Sequence, residues 1–295
     1  MKKLLFITIL FNLSVLADYS DHEISREVIA ELVNEYGFEE SFVVDVLKNA
    51  KKRRTALISV AKPAEKTKTW DDYRAIFIKR KRVEDGRKFI KKHISTLERA
   101  EIEFGVPKEI ITAILGVETN FGNNMGSYRV IDSLVTLGFD DPRRSKFFKS
   151  ELIQFFLLTR ENNLDILKVK GSYAGAMGYS QFISSSYRAY AIDFDGDGYV
   201  DLFNSIEDAI GSIANYLKRH GWKRDGNIVT RTYPNNVRKF YKPHESLTRF
   251  IPLTFIENGE ELHFIGDDNF RAIAKYNISD VYAMAVYYLS KELEK

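Results

Sequence analysis

Residues 106–122 join a strongly apolar helical pattern to a carboxyl group that falls on the apolar face. Pro107 suits the first position of a helix, and Gly122 suits the residue just past its end. The apolar positions between them recur at helical spacing and comprise Ile110, Ile111, Ile114 and Leu115. Glu118 lies on the same stripe, because it follows Ile114 by four residues. The pattern predicts a buried helix that carries Glu118 at the edge of a core.

A carboxyl group on an apolar face is costly to ionise, so we expect the pKa of Glu118 to rise toward neutrality. A raised carboxyl pKa suits a general acid that works near neutral pH. The position also suits a glutamate at the edge of the core that pairs with an arginine or a lysine, since structural ion pairs perturb carboxyl groups too. Spacing alone leaves both interpretations open.

The first 17 residues have the pattern of a secretory signal peptide. Two lysines follow Met1, an apolar run covers residues 4–16, and residues 15–17 offer a cleavage site before Asp18. The run is short for a membrane span, although a retained N-terminal anchor is the alternative. Because the chain has no cysteine, it has neither disulfides nor a lipidated cysteine. The sequence predicts a soluble exported protein whose mature chain, residues 18–295, has no transmembrane helix.

The charge balance argues against nucleic-acid binding. The formal net charge is +3, and removal of the two lysines in residues 1–17, which contain no acid, leaves about +1. Basic residues cluster at 79–82 and continue at Arg87, Lys88, Lys91 and Lys92. Aspartate and glutamate interrupt this stretch, so it indicates a solvated helix face rather than a binding patch.

Helical patterns dominate the chain. They predict two helices within residues 20–52, a long helix that follows an aromatic segment at 70–78 and ends near Phe104, and helices at 129–139, 143–160, 206–219 and from Ser279 onward. Residues 227–265 differ, because alternating segments flank an Asn-Gly pair at 258–259, which is typical of a β-hairpin. The sequence therefore predicts a mainly α chain with a small β insertion.

An acidic loop at residues 193–201 resembles the first half of an EF-hand loop. Carboxylates alternate along it, and Gly196 stands where such loops turn sharply. The expected ligands are Asp193, Asp195, Asp197 and the carbonyl oxygen of Tyr199. Asn204 replaces the usual closing glutamate, but Glu207 or Asp208 could supply that carboxylate. We expect a structural Ca²⁺ or Na⁺ here that takes no part in chemistry, and an acidic turn without a cation is the alternative.

Several segments, taken in order, resemble one family, the lytic murein transglycosylases of the B type, which are soluble periplasmic enzymes. The resemblance includes GVETNFG at 116–122 and GSYAGAMGYSQF at 171–182. It continues at residues 142–144, 193–201, 208–216, 221–222 and 276–286, and so covers most of residues 70–290. A glutamate–threonine pair alone is a weak match, but the ordered set is specific.

The resemblance implies a fold and a reaction. The fold is a lysozyme-like α-helical catalytic core at about residues 95–225 with an additional helical domain, the small β insertion at about 227–265, and a C-terminal helix at about 279–294 that returns to the helical part. The reaction is cleavage of the MurNAc–GlcNAc β-1,4 bond of peptidoglycan with formation of 1,6-anhydroMurNAc. Glu118 would act first as acid and then as base, and no cofactor would be required for the chemistry.

The resemblance also assigns roles to other residues. Ser172 would lie near Glu118 and the substrate N-acetyl group, Gln181 would bond a sugar, and Arg143 and Arg144 would meet carboxylates of lactyl or peptide groups. Aromatic rings would line the substrate groove, with Asn277 polar among them; these rings belong to Tyr73, Phe121, Tyr173, Phe182, Tyr276 and Tyr282. For each ring, ordinary core packing is the alternative. Asp208 is the preferred late ligand of the cation.

The chain departs from the family pattern at two places. Ser184 stands where the family usually has proline, and Asn120-Phe121 replaces a more usual arginine–tryptophan pair. We expect both departures to retune substrate preference without touching the acid.

Two other functions compete with the transglycosylase. One is an exported lysozyme-like muramidase, although a hydrolase generally needs a second carboxylate and none stands out beside Glu118. The other is a non-catalytic module that binds the cell wall or calcium. For the transglycosylase, the expected partner is the peptidoglycan glycan strand in the periplasm of a Gram-negative bacterium, bound by a monomer that could join complexes of cell-wall enzymes.

Overall fold

The structure, a computed structural model, describes residues 18–233 and 251–295. The predicted signal peptide, residues 1–17, lies outside this part of the chain, and so do residues 234–250 of the predicted β insertion. Within the described ranges, no helix is both long enough and apolar enough to cross a membrane.

Helices make up most of the described chain, as predicted. The first half contains a 3₁₀ turn (Tyr19–Asp21), α1 (Ser25–Asn34), α2 (Glu40–Asn49), α3 (Arg54–Ala61), α4 (Ala64–Thr67), α5 (Trp70–Phe77), α6 (Arg80–Lys92), α7 (Ile94–Phe104), α8 (Lys108–Thr119) and α9 (Val130–Asp140). The second half contains α10 (Ser145–Glu161), α11 (Ser184–Tyr190), α12 (Ile206–Arg219), α13 (Asp268–Asn277) and α14 (Asp280–Leu293). The strands are β1 (Tyr128–Arg129), β2 (Lys170–Gly171), β3 (Val229–Thr232), β4 (Ile251–Glu257) and β5 (Glu260–Gly266).

Helix α8 is the central helix, and its apolar stripe is buried as the sequence predicts. Residues 110–116 are all buried, so α8 contacts α6, α7, α12 and α14 on different sides. A helix that is apolar almost all round needs neighbours on every side. Its ends differ slightly from the prediction. Pro107 is the N-cap rather than the first helical residue, and Asn120 closes the helix in the left-handed conformation two residues before Gly122.

The prediction of one long helix that ends near Phe104 is wrong in one respect, because two helices cover this stretch. Helix α6 ends at Lys92, α7 begins at Ile94, and His93 between them leaves the helical conformation. Neither glycine nor proline marks this break, so local sequence does not reveal it. The change of direction lets α7 pack against both α8 and α12.

The β insertion is a three-stranded antiparallel sheet with the order β3-β5-β4. Asn258 and Gly259 connect β4 to β5, both with positive φ, which confirms the predicted hairpin. The sheet packs on α5, where the Trp70 ring lies 5.1 Å from that of Phe255. Strands β1 and β2 form a short antiparallel ribbon that was not predicted from the sequence.

A buried carboxylate joins the N-terminal helices to the rest of the fold. Asp132 on α9 is fully buried. It accepts hydrogen bonds from the main-chain N–H of Lys51, from Nε and Nη2 of Arg53, and from Nε and Nη2 of Arg129. Because donors from three residues in two segments satisfy this one group, it fixes the 50–53 connection and strand β1 on the same face of α9.

Candidate active site

Glu118 lies in the last turn of α8, and a tyrosine from α14 reaches it. The hydroxyl of Tyr282 donates to Oε1 of Glu118 over 2.6 Å. The first turn of α14 is fixed in place because the Ser279 hydroxyl accepts the N–H of Tyr282 as an N-cap. The Tyr282 side chain is buried, whereas Glu118 is half-buried. The contact between α8 and α14 therefore holds the carboxyl group at the edge of the core, where the sequence predicts it.

The phenols around Glu118 stay protonated at neutral pH. Burial raises the pKa of Tyr282 well above 10, and the nearby charge of Glu118 and the hydrogen bond to it raise that pKa further. Burial and the Glu118 charge also raise the pKa of Tyr276 well above 10. Both hydroxyl groups are therefore neutral, and that of Tyr282 donates a hydrogen bond to the carboxyl group.

Four of the predicted aromatic residues come together here, and we call the region around Glu118 that they bound the Glu118 site. Tyr276 stacks on Tyr282 with ring centroids 6.2 Å apart and lies 5.7 Å from Phe182. The Tyr276 hydroxyl donates to the carbonyl of Ser180 over 2.7 Å. Tyr73 comes from α5, which packs against α14, and it lies close enough to Tyr282 to raise the pKa of that phenol further.

Core packing accounts for much of this ring surface. Tyr73, Phe182 and Tyr282 are almost fully buried, so they support the site more than they face solvent. Tyr276 and Tyr173 are partly exposed, and Asn277 at the end of α13 is exposed. Side-chain surface at the predicted binding residues is therefore accessible mainly at Tyr276, Tyr173 and Asn277.

The glycine-rich segment at 171–182 forms a tight turn in which Gly171 lies against the backbone of the same segment. A Cβ at Gly171 would lie 2.2 Å from the carbonyl oxygen of Ala176, so only glycine fits. The Ser172 hydroxyl accepts the N–H groups of Ala174 and Ala176 over 3.3 and 3.1 Å. Ser172 thus organises the turn that the sequence analysis placed beside the substrate.

The side chain of Gln181 is also bound to backbone. Its Nε2 donates to the carbonyl oxygens of Gly178 and Met125 over 2.9 and 3.2 Å. Gln181 itself has a positive φ of 49°. These contacts hold the amide in one orientation, which suits a fixed hydrogen-bonding group in a binding site.

Thr119 is a site residue that the sequence analysis missed. Its hydroxyl lies 3.2 Å from the carbonyl oxygen of Tyr179 and accepts the N–H of Gly122 over 2.9 Å. It follows Glu118 directly, so it ties the end of α8 to the glycine-rich segment. The signal available in the sequence was a hydroxyl residue beside the candidate acid at a helix end, where such side chains bond to backbone.

Phe121 does not bound the Glu118 site as predicted. Both Asn120 and Phe121 have positive φ, which turns the chain sharply after α8. The Phe121 ring therefore points inward and lies 5.6 Å from the Phe89 ring. A Cβ added to Gly116 would lie 2.9 Å from this ring, so Phe121 fills a gap beside α8 instead of facing a groove.

Arg143 and Arg144 lie at the start of α10 with exposed side chains. The main-chain N–H of Arg143 donates to Asp141 over 2.9 Å, and the Arg144 guanidinium lies over the rings of Phe147 and Phe148 at 4.7 and 4.8 Å. The Arg143 guanidinium also lies 3.9 Å from the Asp141 carboxylate, so both side chains are exposed but each has a neighbour in the fold.

Arg82 departs from the solvated helix face predicted for the basic stretch. It is half-buried, and its Nε donates to the Asn120 side chain over 3.3 Å. Its guanidinium also lies 5.3 Å from the Phe77 ring. Arg80 and Lys81 beside it do point to solvent, in exposed i,i+4 ion pairs. A positive charge therefore reaches the residue that closes the Glu118 helix.

The acidic loop brings three of its predicted ligands together. Asp193, Asp195 and Asp197 each offer a carboxylate oxygen, and these oxygens lie within 4.8 Å of one another. Asp193 also accepts the N–H groups of Gly196 and Gly198 over 2.7 and 2.8 Å, which wraps the loop around it. An oxygen-only donor set of this kind fits a hard cation such as Ca²⁺.

Asp208 is not part of this acidic group. It is buried, and its two carboxylate oxygens accept main-chain N–H groups of Phe194, Asp195 and Asp201. The structure thus corrects the expectation that Asp208 closes the cation site. Instead, Asp208 ties both ends of the loop to α12 through main-chain hydrogen bonds. Tyr199 is largely exposed at the tip of the loop.

Comparison with known proteins agrees with this geometry. Residues 20–291 match the transglycosylase SLT domain. The chain belongs to this family. It is 36% identical over 302 residues to membrane-bound lytic murein transglycosylase B of Escherichia coli K12, and the match covers 93% of this chain and 83% of that protein.

Solved structures give the same result. The chain is 40% identical to catenated lytic transglycosylase SltB1 from Pseudomonas aeruginosa, with a TM-score of 0.85 and coverage of 94% of this chain and 99% of that one. It is 34% identical to the Escherichia coli lytic transglycosylase Slt35 in complex with calcium, with a TM-score of 0.83 and coverage of 94% of each chain. The predicted lysozyme-like, mainly α fold is confirmed.

Family membership settles the choice among the predicted functions. The protein is an enzyme, a lytic transglycosylase that cleaves peptidoglycan glycan strands with formation of anhydro ends. This confirms the transglycosylase over the hydrolase and the non-catalytic module.

Proposed function

We propose that Glu118 is the single acid–base group of this transglycosylase. The observation that carries the proposal is the 2.6 Å hydrogen bond from Tyr282, because it fixes the carboxyl group at the end of a buried helix. A carboxyl group that must act first as acid and then as base has to keep its place through both steps.

In the first step, protonated Glu118 donates its proton to the oxygen of the bond between C1 of MurNAc and GlcNAc. The C1–O bond breaks, and GlcNAc leaves with a hydroxyl group. In the second step, the C6 hydroxyl of the same MurNAc attacks C1 and gives its proton to the Glu118 carboxylate. The product is the 1,6-anhydro ring, and Glu118 returns to its protonated state with the proton of the C6 hydroxyl.

The neighbours of Glu118 divide the remaining tasks. Partly exposed Tyr276 and Tyr173 stack against the apolar faces of sugars, while Tyr73, Phe182 and Tyr282 support them from the core. Ser172 and Gln181 bind the sugar substituents from the glycine-rich turn. Arg143 and Arg144 bind carboxylates that hang from the strand, and Asn277 adds a polar contact at the rim.

We also propose that the acidic loop binds one structural Ca²⁺. The ligands are Asp193, Asp195, Asp197 and the carbonyl oxygen of Tyr199. Support comes from the grouping of the three carboxylates and from the calcium complex of the related Slt35. The ion takes no part in proton transfer, because its function is to hold the loop that leads into α12.

The proposed location is the periplasm, reached by cleavage of the signal peptide before Asp18. This rests on the pattern of residues 1–17. N-terminal sequencing of the exported protein tests it, since an intact Met1 on membrane-associated material contradicts cleavage.

Digestion of purified sacculi, followed by mass spectrometry of the soluble products, tests the reaction. We expect muropeptides that end in 1,6-anhydroMurNAc. Products that end only in reducing MurNAc would mean that water is the acceptor and that Glu118 does not perform the second step as proposed.

A further inference from the structure

The junction between α13 and α14 contains a strained residue. Ile278 occupies the left-handed region, with φ 46° and ψ 48°. For a β-branched side chain this conformation is a genuine outlier, whereas glycine or asparagine adopts it readily. The other non-glycine residues with positive φ in the described chain are Asn120, Phe121, Asn163, Gln181, Asp225 and Asn258, and none of them is β-branched.

Ile278 is also almost fully exposed. Its side chain is 94% accessible, more than any other exposed large hydrophobic residue in the described ranges. A single exposed isoleucine is ordinary. An exposed isoleucine in a backbone conformation that isoleucine disfavours is unusual. In the free enzyme, neither burial nor backbone preference stabilises this residue.

The position of Ile278 connects it to the Glu118 site. Tyr276, two residues earlier, bounds that site, and Ser279, the next residue, caps the helix that brings Tyr282 to Glu118. The N–H of Ile278 closes α13 by donating to Ala274. The left-handed turn at Ile278 therefore joins the residue that carries one tyrosine to the helix that carries the other, and it leaves Ile278 exposed between them.

We propose that Ile278 binds the peptide stem of the glycan strand through an apolar contact at the rim of the Glu118 site. This rests on the proposed function. Sugar rings lie against the tyrosines inside the site, so the group that reaches the rim is the lactyl-linked peptide on MurNAc. That substituent carries methyl groups, and an aliphatic side chain without donors or acceptors can recognise only such apolar parts.

Strain at a residue that contacts substrate is a recurring feature of functional sites. Here it gives a distinctive expectation: replacement should make the free protein more stable and the enzyme worse at binding peptide-bearing strands. A residue with a purely structural function would show the opposite sign of the stability change, and a neutral surface residue would leave KM unchanged.

The test compares Ile278→Asn with wild type on two substrates, peptide-bearing strands and strands stripped of peptide by an amidase. Asparagine accepts the left-handed conformation, so we expect Tm to rise by a few degrees. Loss of the apolar contact should raise KM for peptide-bearing strands about fivefold. The kcat on both substrates, and KM on stripped strands, should stay at the wild-type values.

Three further variants sharpen the result. Ile278→Leu keeps an apolar side chain and should keep KM near the wild-type value. Ile102→Asn is the matched control, because Ile102 is 74% exposed on α7 and does not belong to the junction. It should change KM on neither substrate. Ile278→Gly serves as a second left-handed replacement if the asparagine variant folds poorly.

An unchanged KM in Ile278→Asn, or an equal rise on both substrates, overturns the proposal. Its failure is separable from failure of the proposed function. If Glu118 is not the acid–base group, then Glu118→Gln retains turnover whatever Ile278 does. If only the Ile278 proposal is wrong, turnover still depends on Glu118. The effect of Ile278→Asn on KM is then the same whether or not the strand carries the peptide.

Discussion

The hydroxyl of Tyr282 lies 2.6 Å from Oε1 of Glu118, across 164 residues of sequence. The carboxyl group stands at the end of α8, the central helix, and the phenol comes from the first turn of α14. The pKa of Tyr282 is well above 10, chiefly because the side chain is buried, so the phenol remains a donor over the whole working range of pH.

Tyr282→Phe removes this donor and keeps the ring. A hydrogen bond to a charged group contributes about 1.5–3 kcal/mol, so we expect kcat to fall about 10- to 100-fold. The donor favours the carboxylate form, and its loss should raise the pKa of Glu118 and move the alkaline limb of the rate profile to higher pH. The measurement is the pH dependence of kcat on glycan strands.

The matched control is Tyr288→Phe, because Tyr288 is also on α14 and its hydroxyl bonds to Glu257 over 3.3 Å. That variant should keep the wild-type pH profile. A Tyr282→Phe enzyme with wild-type kcat and an unmoved alkaline limb would show that the phenol does not act on Glu118.

Asp197→Ala tests the cation loop. In wild type, millimolar Ca²⁺ should raise Tm by mass action, and a chelator should remove the increment. Asp197→Ala takes away one of three grouped carboxylates, so the increment should disappear while some activity remains where the fold survives. Asp45→Ala, at an exposed aspartate of α2, is the control and should keep the calcium response. Identical wild-type melting curves with calcium and with chelator would mean that the loop binds no ion.

Ser184→Pro should stabilise the protein. Ser184 is the first residue of α11, where proline fits, and Ile183 before it is extended with φ −71° and ψ 165°. The Ser184 hydroxyl is buried and has no hydrogen-bond partner among the residues that the structure describes. Removing it and restricting the unfolded chain should add about 1 kcal/mol, or a rise in Tm of about 2–4 °C.

The neighbouring substitution Ser185→Pro is the control for that prediction. Its N–H and hydroxyl both donate to Glu151, over 2.9 and 2.7 Å, so proline there removes two hydrogen bonds and should lower Tm. If Ser184→Pro lowers Tm as well, the start of α11 does not have the described conformation.

Local pattern predicted those parts of the fold that depend on neighbouring residues. Helical spacing identified α8, and the Asn258-Gly259 pair identified the hairpin, because a buried stripe and a type I′ turn each need particular residues at fixed offsets. The break at His93 was not predictable in this way. It has no breaker residue and follows from how α7 packs on α8 and α12.

The candidate site likewise has features that local sequence predicts and features that depend on packing. Glu118 was found because it falls on a helix stripe, but its partner Tyr282 depends on how α14 packs against α8. Phe121 was misplaced because two consecutive left-handed residues turned its ring inward. Asp208 was predicted as a ligand because an EF-hand-like loop without its closing glutamate can take a carboxylate from the next helix. In the structure, three main-chain N–H groups already donate to this carboxylate.

Turnover by Glu118→Gln is the most direct test of the account. Glutamine keeps the shape and can still bond to Tyr282, but it can neither give nor take the proton. Release of anhydro muropeptides from sacculi, followed by mass spectrometry, should fall by about 10²–10⁴-fold or more, while the variant remains folded and still binds glycan strands. Its Tm should be unchanged or slightly higher, because a neutral amide replaces a carboxyl group at a half-buried position. Release of anhydro products at near the wild-type rate by this variant would contradict the account, because Glu118 would then not be the acid.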